Sequence, residues 1–242
     1  AVHLLPVMDV TKDSVATAFD RLDEQAVDGI IILIEAHLLD EADVQLPEGL
    51  PVVVVDSSAH YDYPIVDTDQ EGGVRRAVEH LLAMGHETVW HVAGPTTSSA
   101  AQERTEAWGQ VLTRAGASVP PVHRGDWTAG SGYRIGALLA EVPRDELTAV
   151  FCANDQMAIG LMRAFHERGV RIPQDVSVVG FDDEAGAAYF VPPLTTVRQD
   201  FPALGRSAIR ALVAALAGDP PPRTLLPATL VPRASTAPPP AR

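Results

Sequence analysis

Short apolar runs alternate with helical-period segments along almost the whole chain. VHLLPV at 2–7 is the first run, and Val15, Ala18, Leu22 and Ala26 then fall on one helical face. IIILI at 30–34 and PVVVVDS at 51–57 follow without interleaved polar residues. Runs of that kind indicate strands covered on both faces, as in a parallel sheet. A short strand at 63–66 leads into a helix from about Gln70 to Met84, closed by Gly85. The alternation then restarts, with TVWHVAG as strand, 98–115 as helix, VPPVHRGDW as strand and exit loop, and 129–141 as helix. LTAVFCA, a helix at 155–168 and DVSVVGFDD complete it. Two such series in tandem predict two doubly wound parallel-sheet lobes, an α/β fold. The end of the chain differs: LTTVRQD is extended, 201–217 is helical, TLLPATLVP is strand-like, and the proline-rich STAPPPAR reads as a disordered tail over 234–242.

Composition changes this picture little, since 242 residues, 46% hydrophobic and 21% charged, suit two lobes of ordinary size. Charge changes it more. A net charge of −14 repels phosphate backbones, so the residues present make a poor DNA-binding surface. Cys152, the single cysteine, forms no internal disulfide and sits in the apolar run AVFCA, which marks it as a small core residue in a reducing, cytoplasmic setting. No apolar run approaches the roughly 18–20 residues that span a bilayer, and AVHLLPVMDV has no basic flank or cleavage site. No membrane attachment is expected.

In open parallel sheets, ligands bind beyond the carboxyl ends of the strands. The loops after the strands are therefore the ones to inspect: Asp67-Thr68-Asp69, Gly94 to Ser98, Gly125-Asp126-Trp127, Asn154-Asp155 and Asp182-Asp183. They carry carboxylates, amides and an indole, with Arg104 on the helix after Gly94-Pro95. Those residue types suit a sugar, whose hydroxyls both donate and accept above flat C–H faces. Each has a plain structural reading as well. Asn154 is a good N-cap for the 155–168 helix, or an amide facing a ligand; Asp182 is a solvated turn carboxylate or a hydroxyl acceptor. Arg104 is a surface ion-pair partner or a ligand fork, and Trp127 packs or stacks. The eight histidines show no metal-ligand spacing, and His80 and His86 read as helix-surface and turn residues. The glycines of 130–136 only graze a dinucleotide fingerprint, and no nucleophile elbow or P-loop occurs. No cofactor, metal or catalytic activity is expected.

The ordered series Glu71-Gly72-Gly73, His80-Leu81-Leu82-Ala83-Met84-Gly85-His86, Ala93-Gly94-Pro95, Asn154-Asp155-Gln156-Met157-Ala158, Ile172 to Ser177, Gly180-Phe181-Asp182-Asp183 and Pro193-Leu194-Thr195-Thr196-Val197 resembles the lac repressor family of transcription regulators. The resemblance covers essentially residues 1–235. It implies a periplasmic-binding-protein-like sensor of two lobes with a sugar effector between them, acting by a change of inter-lobe angle. It also implies a homodimer that meets operator DNA only through a helix-turn-helix absent from this sequence. Ligand contacts would fall on Arg104, Asn154 and Asp182, with Asp67 a looser match. The segments Gly125-Asp126-Trp127 and Gln199-Asp200-Phe201 resemble the branch that gives the family its name. There Trp127 would be a stacking platform, Gln199 a hydroxyl partner and Phe201 an apolar wall, with a galactoside-like effector.

By the same resemblance the lobes comprise 1–88 plus 200–222 and 89–199 plus 223–233. The first lobe lacks its usual first strand and helix, and residues 1–7 read as the second strand. A sugar receptor of a transporter shares this fold and pocket logic and stands as the alternative. A carbohydrate-active enzyme would need a carboxylate pair at catalytic spacing, which is not apparent.

Overall fold

The computed structural model describes residues 2–7, 11–33, 49–55, 64–219 and 223–241. They divide into two compact units, 1–68 with 200–226 and 69–199 with 227–242.

In the first unit, helix α1 (Lys12–Glu24) starts from a reciprocal cap. The Thr11 N–H donates to Ser14 Oγ (3.0 Å), and the Ser14 N–H donates to Thr11 Oγ1 (3.3 Å). Strands β1 (Ile30–Ile32), β2 (Val52–Val55) and β3 (Ile65–Thr68) follow. With β9 (Thr224–Leu226) they form a parallel sheet in the order β1-β2-β3-β9. One face buries Ile30, Ile32, Val52 and Val54 with Val15 of α1. The other buries Val53, Val55 and Val66 against Leu204, Ala208 and Ala211 of a helix at Phe201–Leu216. Both faces are therefore dry, which is why the Val/Ile runs carry no alternation. Parts of the expected strands at 34, 56–57 and 63 lie outside the described residues.

The expected opening strand is not formed. Residues 2–7 pair with no described strand, and Val2 and Leu4 are 98% and 85% exposed. A strand persists only where its N–H and C=O groups find a partner. Only Val7 reaches the apolar cluster beside α1.

The second unit is a six-stranded sheet flanked on both faces. Its elements are α2 (Gln70–Ala83), β4 (Trp90–Ala93), α3 (Ser99–Arg114), β5 (Val122–Arg124), α4 (Ala129–Leu139), β6 (Ala149–Cys152), α5 (Asp155–Glu167), β7 (Ser177–Asp182), β8 (Thr195–Arg198) and β10 (Thr229–Val231); the Phe201–Leu216 helix of the first unit is α6. The order is β10-β8-β7-β6-β4-β5, parallel except that β10 runs antiparallel to β8. On one face α2 and α3 bury Val74, Val78, Leu81, Trp108 and Leu112 against Phe151, Val179 and Phe181. On the other, α4 and α5 bury Ile135, Leu139, Met157, Leu161 and Phe165 against Val92, Val150, Cys152 and Val178. The α4 glycines have a packing role. A Cβ on Gly132 would lie 2.1 Å from the Met157 carbonyl oxygen, and one on Gly160 of α5 would lie 1.9 Å from that of Ala129.

Three sequence expectations change here. The first boundary falls before α2, at 68/69 and not 88/89, because the apolar face of α2 meets Trp108, Phe151 and Phe181 of the second unit. TLLPATLVP is two strands, β9 in the first unit's sheet and β10 in the second's, so the last boundary lies at 226/227 and not 222/223. The tail is ordered through residue 241. Buried Ser235 donates to the Val178 carbonyl (2.6 Å) and accepts the Thr195 N–H (2.8 Å), while the Ala237 N–H donates to Ser177 Oγ (3.0 Å). His86 is correspondingly not a surface turn residue. It is buried, and its Nε2–H donates to the Ala237 carbonyl (3.0 Å); His80 Nε2 lies 3.1 Å from Thr236 Oγ1. Burial lowers the pKa of both imidazoles. Proline-rich composition signalled disorder, but these few hydrogen bonds hold the segment down.

Candidate functional site

Strands β4, β6 and β7 lie side by side, and their carboxyl ends release the loops that begin with Gly94, Ala153 and Asp183. Arg104, from the second turn of α3, runs under this edge with 5% of its surface exposed. Its Nε–H donates to Gln70 Oε1 (2.8 Å) and its Nη1 to the Ala153 carbonyl (2.5 Å), while Nη2 lies 3.8 Å from Asp182 Oδ1. The guanidinium plane covers Phe181, 3.8 Å from the ring centroid, and approaches the Trp127 ring at 5.6 Å. Such a fork, buried among rings and fixed by two hydrogen bonds, is held in one orientation.

Asp182 Oδ1 also accepts from Gln199 Nε2 (2.7 Å), and Gln70 Nε2 donates to Gln199 Oε1 (3.3 Å). Gln70, Arg104, Asp182 and Gln199 thus close a ring of polar contacts. Three of the four were expected from sequence. Gln70 is the addition: it lies one residue beyond the Asp67-Thr68-Asp69 loop, at the first position of α2, and that place directly after a strand-exit loop is its signal in the sequence.

Trp127 is presented by a fixed turn. Asp126 accepts from the Thr128 hydroxyl (2.5 Å) and N–H (3.1 Å), and these bonds hold its carboxyl well below the usual carboxylate range. Thr128 in turn caps α4. The indole lies over Gly94, where a Cβ would come within 2.4 Å of its ring. Asn154 is the N-cap of α5, and its amide nitrogen is engaged by backbone. Its Oδ1 caps α5 by accepting the Met157 N–H (2.9 Å), and its Nδ2 donates to the Trp127 carbonyl (2.9 Å). Trp127, Asp182 and Asp183 all have positive φ, at 70°, 109° and 54°. Each such non-glycine residue costs about 1–3 kcal/mol and persists only where its surroundings impose it.

Asp67 and Phe201 belong to the first unit and are not among these contacts. Asp67 is buried, with Oδ1 accepting the Thr68 N–H (2.6 Å) and Oδ2 4.0 Å from Arg223. Phe201 is the first residue of α6 and half exposed. Two other groups have displaced pKa values near the edge. Burial pushes the Asp155 carboxyl up to about 7 and the His91 imidazole down to about 4. Burial also raises the Cys152 thiol, as a core cysteine requires. Among the described residues no group of His, Cys, Asp and Glu could hold a metal ion, and no helix is long and apolar enough to cross a membrane.

A family described as a periplasmic binding protein-like domain matches residues 78–236. The lactose operon repressor of Escherichia coli K12 is 37% identical over 231 residues, which cover 90% of this chain and 61% of the repressor. The chain belongs to the lac repressor family. A second family member, the regulator MalR of Streptomyces coelicolor, is 37% identical over 235 residues, covering 90% of this chain and 68% of that protein. Among solved structures, a dimeric lac repressor with a C-terminal deletion superposes with a TM-score of 0.85 at 35% identity, covering 96% of this chain and 86% of that one. The chain therefore spans about three fifths of the length of the first of these family members.

Proposed function

We propose that these residues are the effector-sensing part of a transcriptional repressor, and that the effector is a sugar of the galactoside type. The observation that carries the reading is the buried Arg104 fork, held by Gln70 and Ala153 and set beside Asp182, Gln199 and Trp127. A guanidinium and a carboxylate side by side donate to and accept from neighbouring hydroxyls, and an indole face takes the C–H surface of a pyranose. Asn154 enters as the residue that holds Trp127. The relation to the lactose operon repressor supports a galactoside over other sugars.

The role is sensing and not catalysis, in the cytoplasm. A sugar with different affinities for two inter-lobe angles selects one of them. In a homodimer carrying helix-turn-helix headpieces, that choice sets the spacing offered to operator half-sites. The net charge of −14 fits a division of labour in which DNA is met by another segment. A transporter's sugar receptor is the lesser reading, because the relatives above are regulators.

A thermal-shift screen against galactosides, glucosides, pentoses and purines tests the class. A ligand present at 100 times its Kd stabilises the native state by about 2.7 kcal/mol, a rise of several degrees in Tm. The expected outcome is a rise with galactosides. A rise with purines alone would overturn the sugar assignment.

A further inference from the structure

Beside the effector site proposed above, on which this inference rests, one buried carboxylate makes its hydrogen bonds to Glu184 and Thr196 and so ties together the elements that carry the proposed ligand contacts. We propose that Asp155 is the positioning residue of this site, its carboxylate lashing the 183–184 turn to α5 and β8 and so fixing the aim of Asp182. Its side chain is fully buried. Oδ2 accepts the Glu184 N–H (2.9 Å) and Oδ1 accepts the Thr196 hydroxyl (2.6 Å). Gly180 of β7 leaves the room, since a Cβ there would lie 2.2 Å from Asp155 Oδ1.

The turn needs such a hold. Asp182 and Asp183 are consecutive non-glycine residues at positive φ, a conformation that surroundings must impose. Asp183 is pinned on one side by Arg198 (2.6 Å) and Arg233 (2.5 Å), and Asp182 by Gln199 (2.7 Å). Asp155 supplies the hold from beneath, on the next residue's backbone. Asn154 and Asp155 therefore divide the work between adjacent positions, the first holding the Trp127 carbonyl and the second the Asp182 turn.

Both carboxylate oxygens act as acceptors, so the ionised form makes both bonds as they stand. A proton on Oδ2 would face an N–H that cannot accept it, and a proton on Oδ1 would reverse the Thr196 bond. Asp182 and Glu184 on the turn are the acidic groups that face Asp155, Thr196 faces it from β8 and Cys152 from β6; burial and the two acids keep its pKa near 7. The acid protonated on Oδ1 still accepts the Glu184 N–H and meets Thr196 with the bond reversed, as an amide would, so the hold does not depend on the charge.

The test uses methyl β-galactoside titrated calorimetrically into wild type, Asp155→Asn and Asp155→Ala at pH 8 and pH 6, with amide exchange at Glu184 followed by NMR. Wild-type affinity stays similar at the two pH values, because the acid protonated on Oδ1 keeps both contacts. Asp155→Asn keeps both contacts, so its affinity stays close to the wild-type value at pH 8 and is flat with pH. Asp155→Ala binds weakly at both pH values, and its Glu184 amide exchanges faster. A loss of affinity in Asp155→Asn as large as that in Asp155→Ala, or wild-type affinity in Asp155→Ala, overturns the proposal. If methyl β-galactoside fails to bind wild type, the galactoside reading fails; Glu184 exchange then decides for Asp155, upheld by lost protection in Asp155→Ala and overturned by unchanged protection.

Discussion

Arg104 shows how a single side chain gains meaning from its surroundings. By residue type it reads as a surface ion-pair partner or a ligand fork; in place it is buried, stacked on Phe181 and bonded to Gln70 and Ala153. Burying a guanidinium is costly unless its donors are satisfied, and the neighbours here are arranged to satisfy them. Gly94 matters for a different reason, since it leaves the space in which the Trp127 ring lies. Gly94→Val is expected to displace the indole. Sugar affinity should then fall about tenfold, the rough worth of one lost stacking contact, with a shifted tryptophan emission and an unchanged far-ultraviolet circular dichroism spectrum. Unchanged affinity in that variant would remove Trp127 from the site. At this scale the sequence showed which residue types stood at the strand ends. It did not show that Asn154 would use its amide on Trp127, or that Gln70 would close the polar ring. Those pairings join residues 27 and 129 positions apart in the chain, and only the fold brings them together.

At the scale of elements, periodicity was a good guide wherever both faces of the sheet were covered. The Val/Ile runs became β1, β2, β6 and β7, and the helices fell within a few residues of their expected ends. It failed where the outcome depended on a partner. VHLLPV has the pattern of a strand but pairs with no described one, whereas Ser235 and Ala237, just before the prolines of the tail, are held by a few specific bonds. Ser235 is the clearest of these. Ser235→Ala leaves the buried Thr195 N–H without this acceptor and the Val178 carbonyl without this donor, so urea denaturation should report a loss of about 1–3 kcal/mol. A loss below about 0.5 kcal/mol would mean that the tail is held by its other contacts.

For the whole molecule, two buried groups, His91 on β4 and Asp155 at the start of α5, pull stability in opposite directions with pH. His91 lies neutral between Phe151 and Trp108, its Nδ1–H donating to the Phe151 carbonyl (3.0 Å), with its pKa depressed to about 4. Between pH 6.5 and pH 4 the unfolded chain binds more protons there than the folded one, so this contribution is lost as pH falls. Asp155 has a raised pKa of about 7, so the folded chain holds the extra proton between about pH 4 and pH 7, and its contribution is lost as pH rises. Thermal melts of two variants separate them. Relative to wild type, the Tm of His91→Phe should improve as pH falls from 6.5 to 4, and that of Asp155→Asn should improve as pH rises from 4 to 7. Parallel shifts in the two variants would contradict these assignments.

That sensing role rests on Arg104 and its ring of partners more than on any other feature. The most direct measurement is calorimetric titration of methyl β-galactoside into wild type and into Arg104→Ala, with melting curves to verify that both are folded. Removing a buried guanidinium that bonds hydroxyls should weaken binding by about tenfold to a hundredfold or more, at 1.5–3 kcal/mol for each charge-assisted bond lost. Equal affinity in two equally folded proteins would contradict the assignment of this edge as the effector site.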